Sequence, residues 1–176
     1  MQTKRILTSV LSAFAIIGAA NAQTGSGTMG VTGTVQGSIN LTFVTDASGL
    51  AVTGTTTSTA SLPFGTVRMY GGSVPANVTK TVNSTTSFDL STPFDVRVDL
   101  ANSASATHTL TATLAAADAT NTWLLASSDI SSGSAATLTT TGAYATAVPY
   151  TLKLTVPASA AAGLITNTIN FTAVGN

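Results

Sequence analysis

The chain has 176 residues, no cysteine and no glutamate, and its six basic residues balance its six aspartates. Charged residues make up only 7% of the sequence, so nothing in it attracts nucleic acid or an anionic membrane, and few groups are present for catalysis. Without disulfides, stability has to come from packing or from partners.

The first 22 residues have the pattern of a secretory signal peptide. Lys4 and Arg5 form a basic head, residues 6–20 are mostly apolar, and alanines at positions 20 and 22 suit a signal-peptidase site. The alternative is a membrane anchor, but the apolar run is shorter than the ~20 residues that a spanning helix needs. We predict a secreted protein with no membrane span, whose mature chain carries four basic residues against six aspartates, a formal net charge of −2.

Alternation of apolar and polar residues predicts many strands after the signal. The clearest segments are 37–43, 94–100, 106–114, 148–156 and 165–173, and shorter candidates lie at 51–57, 65–70, 78–82, 122–126 and 136–140. No segment has a convincing helical period. Many short strands at near-regular spacing predict an all-β fold, an antiparallel sandwich of immunoglobulin-like type.

The first alternating stretch, GTMGVTGTVQGSINLTF at residues 27–43, is too long for one strand. At about 3.3 Å per residue, residues 29–43 would extend ~50 Å, whereas strands in globular domains usually stop near ~20 Å. If residues 37–43 form the first strand of the domain, residues 23–36 are left over with an apolar face and neither charge nor proline.

A free apolar strand of this kind is an aggregation hazard. We therefore predict that residues 23–36 are an N-terminal extension that completes the sheet of another molecule by strand addition, with Met29, Val31, Gly33 and Val35 as its inserting positions. The domain over residues 37–176 then lacks a strand of its own. The alternative is one long bent strand that switches between the two sheets of a single sandwich.

Three strings resemble a known family. GTMGVTGTVQGSINLTF resembles the mature N-terminus of chaperone–usher pilins, with Gly33 in the place of the small residue that such extensions carry. LPFGTV at residues 62–67 resembles the L-x-F-G-x-[VY] stretch of the spore coat protein U-like branch of these pilins. VPASAAAGLITNTINFTAV at residues 156–174 resembles the closing hairpin of that family.

The resemblance implies an incomplete immunoglobulin-like sandwich that a periplasmic chaperone holds and an outer-membrane usher assembles. The preceding extension of an identical or homologous subunit would complete it. The closing strand, with Ile165, Ile169 and Phe171, would form a wall of the acceptor groove. The function implied is a structural subunit of a bacterial cell-surface fimbrium or pilus, serving adhesion or biofilm formation. The alternative is a monomeric secreted binding module or adhesin domain that recognises a glycan or a host protein.

Catalytic, cofactor and metal sites are not predicted. The only histidine, His108, lies on an apolar face and is interpreted as a packed residue. Asp95 and Asp99 flank Arg97 on a polar face and predict a local ion pair. Asp46, Asp118 and Asp129 lie in predicted loops without the spacing of a calcium site. Trp123 could form a sugar-stacking platform, but Leu124 and Leu125 beside it favour a core anchor.

Overall fold

The structure, a computed structural model, describes residues 28–44 and 58–176. The predicted signal peptide, residues 23–27 and the predicted strand at 51–57 lie outside the described residues. The chain divides into two units, Met1–Thr34 and Val35–Asn176. All the described strands belong to the second unit.

The described residues contain nine strands and no helix, which confirms the all-β prediction. The strands are β1 (Ser38–Val44), β2 (Thr79–Asn83), β3 (Ser87–Ala101), β4 (His108–Leu114), β5 (Thr122–Leu125), β6 (Ser128–Asp129), β7 (Ala136–Gly142), β8 (Ala147–Pro157) and β9 (Ile169–Gly175).

The strands form two antiparallel sheets, an arrangement consistent with a β-sandwich. The larger sheet has the order β1-β3-β8-β5-β6, with β2 also paired to β3, and the smaller sheet has the order β7-β4-β9. Both sheets contribute to one hydrophobic core. In β4 every second residue from His108 to Leu114 is buried, so the period-two pattern of the sequence directly marks its inner face.

The central strand β3 contains a proline, which normally marks an edge strand because proline cannot donate to the ladder. β8 pairs with β3 along one side, from Ser87 to Arg97. On the other side β2 pairs with residues 87–91 of β3 and β1 pairs with residues 95–101, so Pro93 lies in the gap between these two partners. The gap accommodates the missing N–H and leaves this side of β3 without a neighbour at Pro93 among the described strands.

Three predicted strands differ from the structure. The strand predicted at 94–100 begins earlier, at Ser87, and continues through Pro93. Residues 65–70 form no strand, because Gly65 adopts a left-handed conformation with φ +68°, which breaks an extended run. The closing strand begins at Ile169 rather than residue 165. The Asn167 side chain both accepts a hydrogen bond from the Ala116 amide and donates one to the Ala116 carbonyl, so side-chain bonds replace the backbone ladder there.

Candidate functional site

A cavity of about 890 Å³ joins the edge strand of each sheet to the hydrophobic core. Apolar side chains of β1, of β9 and of the inner face of the larger sheet line it. They are Leu41 and Phe43 of β1, Ile169 and Phe171 of β9, and the core residues Phe94, Trp123 and Leu152. Because the last three side chains are all less than a tenth exposed, the cavity reaches the centre of the fold. We call this feature the groove.

The groove is open to solvent, and serine, threonine and asparagine residues of 58–66 and 166–170 line it beside the apolar residues. Its apolar part, from Leu41 and Phe43 across to Ile169 and Phe171, leads directly to buried core side chains. Water makes poor contacts with such an apolar surface. This part of the groove therefore suits an additional apolar segment of protein.

The three residues predicted from the sequence as an acceptor wall all lie along this groove. Ile169 and Phe171 are half-buried residues on the inner face of β9. Ile165 lies before the strand begins and is 38% exposed. The structure thus brings the three residues together, with Ile165 at the rim.

The strand β9 is the edge of the smaller sheet. It pairs with β4 in continuous register from His108 opposite Gly175 to Leu114 opposite Ile169. No described strand pairs with its other side. A seven-residue edge of backbone N–H and C=O groups therefore lies beside the groove, which is the chemistry that strand addition requires.

Sequence reasoning missed the aromatic residues on the opposite side of the groove. The rings of Phe43 and Phe171 meet edge to face with centroids 5.3 Å apart, and Phe94 lies 6.0 Å from Phe171. The sequence signal for Phe43 was the alternation of Leu41 and Phe43 with polar residues in the first strand. This pattern indicated a buried face but did not indicate which strand that face would contact.

The described part of the N-terminal extension has no regular structure. Met29, Val31 and Val35 are 87%, 83% and 75% exposed, and a Cβ added to Gly33 would meet open space. Thus three of the predicted inserting positions present apolar side chains to solvent. Exposure of this extent is unusual for three large apolar residues so close together in the chain.

His108 is a packed residue, as predicted. Its side chain is 3% exposed, and its ring lies 5.2 Å from that of Tyr144. A Cβ on Gly142 would lie only 2.4 Å from the imidazole, so glycine is needed there for close packing. Burial lowers the pKa of His108, against a backbone hydrogen bond with Gly142 that raises it.

Trp123 is a core anchor rather than an exposed platform. It is 6% exposed, and its indole Nε1 donates to Asp118 Oδ2 at 2.8 Å. Asp118 also accepts hydrogen bonds from the amides of Thr120 and Asn121 and from the Asn121 side chain. Burial raises the pKa of Asp118, but these bonds outweigh it and lower the pKa to about 2.

Two ion pairs occur among the described residues, and one of them joins Lys153 to Asp89 at 3.6 Å. Arg97 pairs with Asp99 at 2.8 Å, as the sequence predicted. Within residues 28–44 and 58–176, acidic, histidine and cysteine side chains form no cluster of three that could hold a metal ion. The described chain also contains no helix that is long and apolar enough to cross a membrane.

Comparison of the chain with protein-family models, with curated proteins and with solved structures finds no match.

Proposed function

We propose that the protein is a structural subunit of a secreted bacterial surface fibre. In this proposal the extension of one copy inserts into the groove of the next copy and pairs with the free edge of β9. The observation that carries the proposal is the groove itself, an opening of about 890 Å³ that lies along the edge strand β9 and reaches buried Phe94, Trp123 and Leu152. The occupant is the extension of a second copy, because its apolar face has no burial of its own.

The two surfaces are complementary in chemistry. None of the described residues that line the groove is charged, and residues 24–36 of the sequence contain no charged residue. In the extension, apolar residues stand at odd positions and polar residues at even ones, so a single face would enter the core while threonines remain outside. Each buried Met or Val side chain contributes about 1.5–3 kcal/mol, and the backbone ladder along β9 adds hydrogen bonds.

Export through the periplasm with a chaperone and usher is part of the same proposal. An unfilled groove and a free apolar extension would both aggregate in a single subunit, so a carrier has to cover them before assembly. The immunoglobulin-like topology and the role of the fibre in adhesion or biofilm formation are expectations from the family resemblance.

Deletion of residues 24–36 tests the proposal. The intact mature protein should form fibres visible by electron microscopy and an SDS-resistant ladder before boiling, and the deletion should abolish both while secretion of the subunit continues. Because both surfaces are uncharged, the ladder should be insensitive to salt between low and high ionic strength. Fibres from the deleted chain would overturn the proposal. A deleted chain that is a stable monomer with a closed core would favour the monomeric binding module.

A further inference from the structure

The groove is lined along part of its length by a segment of the same chain. Residues 58–66 include the left-handed Gly65 turn and run beside the groove, where Ala60, Leu62 and Phe64 are among the lining residues. These three side chains are partly buried and pack against the core, whereas Ser61 and Pro63 between them are exposed. The segment therefore shows the alternation of a core strand without being one.

The backbone of this segment forms no strand ladder. Its only regular pairing is a single bridge at Ser61, and Pro63 has no N–H to donate. A seven-residue ladder such as that between β4 and β9 has no counterpart in residues 58–66. Its partly buried side chains Ala60, Leu62 and Phe64 attach it to the core.

The chain that follows the segment is held firmly. Lys80 Nζ donates to the carbonyl oxygens of Arg68 at 3.0 Å and Gly71 at 2.6 Å. A Cβ on Gly65 would lie 3.3 Å from Pro75, so the turn itself is closely packed. One end is thus anchored to β2, while the part that lines the groove packs on the core through Ala60, Leu62 and Phe64 without a strand ladder.

We propose that residues 58–66 are a displaceable strap that covers part of the groove in the free subunit and moves aside when the donated extension of another copy enters. This inference depends on the proposed function, because the donated extension is the segment that displaces the strap. The strap shields core residues such as Phe94 until assembly. It also lowers the apparent affinity for the extension, because only the fraction of molecules with an open groove can bind.

The test uses the full mature chain carrying Met29→Thr, Val31→Thr and Val35→Thr, which keeps the acceptor groove and removes its own donor. The probe is a fluorescent peptide of residues 24–36, followed by anisotropy. Leu62→Ala with Phe64→Ala weakens the strap. Val67→Ala with Met69→Ala is the matched control, because these side chains also pack partly buried against the core but do not line the groove.

Leu62→Ala with Phe64→Ala should tighten peptide binding about tenfold and speed association, although this variant is less stable. The control pair should bind the peptide as tightly as the unsubstituted acceptor does. Hydrogen exchange of the amides of residues 60–62 and 64 should accelerate when peptide is added to the acceptor with the unsubstituted strap, and this measurement tests the strap if the substituted variant does not fold. If the peptide binds with the same affinity to the strap variant and to the unsubstituted acceptor, and does not change hydrogen exchange in the strap, the strap proposal is wrong and the proposed function stands. Absence of binding to every acceptor would overturn the proposed function and the strap with it.

Discussion

Phe43 in β1 and Phe171 in β9 bring the edges of the two sheets together, with ring centroids 5.3 Å apart and planes 76° from each other. Edge-to-face contacts of this kind are worth about 0.5–1.5 kcal/mol beyond the area that they bury. The contact lies on the groove, so Phe171 serves both the core of its own subunit and, in the proposed fibre, the inserted strand.

Substitution of Phe171 by Asp should lower the amount of folded subunit and abolish assembly. A carboxylate placed among Phe43, Phe94 and an incoming strand would lie in a dry apolar site, at a cost of several kcal/mol. The measurement is the periplasmic level of subunit together with fibre formation. Thr172→Asp, which adds the same charge at the next and exposed position of β9, is the control and should assemble. Wild-type accumulation and assembly of the Phe171 variant would refute its place in the groove.

The alternation of residues predicted most strands because it depends on local sequence alone. In β4 and β8 the apolar positions of the sequence are the buried positions of the fold. The same pattern predicted that Ile169 and Phe171 face inward. It did not predict that Phe43 would meet Phe171, because partners across two sheets depend on how distant strands are ordered.

The predicted beginning of the closing strand was wrong for a different reason. Ile165 is in phase with Ile169 and Phe171, but position 167 between them is an asparagine, whose side chain makes the hydrogen bonds to Ala116 that a strand backbone would make. A period-two pattern carries no information about such side-chain substitutes for the ladder. The segment at 58–66 illustrates the converse, since its alternation reports burial without strand pairing.

Replacement of Ala126 and Ser127 should stabilise the protein. These two residues connect β5 and β6 with φ values of 48° and 72°, the conformation of a two-residue turn that favours Asn-Gly. Left-handed backbone costs an ordinary residue roughly 1–2 kcal/mol. Ala126→Asn with Ser127→Gly should therefore raise the free energy of unfolding by about 1 kcal/mol. Urea unfolding followed by the fluorescence of Trp123, the only tryptophan, measures this change.

Ala126→Val with Ser127→Val is the control for this turn, and it is expected to have the opposite effect. Branched side chains are the least compatible with positive φ, so this variant should lose stability. Equal midpoints for the two variants would show that the turn does not hold this conformation in solution.

Because Asp118 has a lowered pKa in the folded protein, the free energy of unfolding should decrease in acid. Its pKa is lowered to about 2 in the folded protein from an ordinary value of 3.8. The unfolded chain therefore binds the proton first, and the stabilisation that is complete above about pH 4 should be lost as pH falls towards 2. Asp118→Asn should lose about 1–2 kcal/mol at neutral pH, because hydrogen bonds to a charged acceptor are replaced by bonds to a neutral one.

The pH dependence of the free energy of unfolding distinguishes the contribution of Asp118 from that of other aspartates. The Asp118→Asn variant should show a flatter loss between pH 4 and 2 than the native protein, and the two curves should converge at the acid end. Asp129→Asn removes an exposed carboxylate whose side chain accepts from Ser131 in the same region, and should change the profile less. Parallel profiles for the native protein and the Asp118→Asn variant would contradict the role assigned to the Asp118 hydrogen bonds.

The two faces of the extension should contribute unequally to assembly. Met29, Val31 and Val35 share one face of an extended strand, while Thr28, Thr32 and Thr34 share the other. If the first face enters the groove, Met29→Thr, Val31→Thr and Val35→Thr together should abolish the SDS-resistant ladder, because about 1.5–3 kcal/mol of burial is lost at each position. Thr28→Ser, Thr32→Ser and Thr34→Ser alter the other face in the same number of places, and fibres should persist. An effect of similar size from both triple variants would mean that the extension acts as a linker without a defined inward face, since a single register buries only one face of a strand.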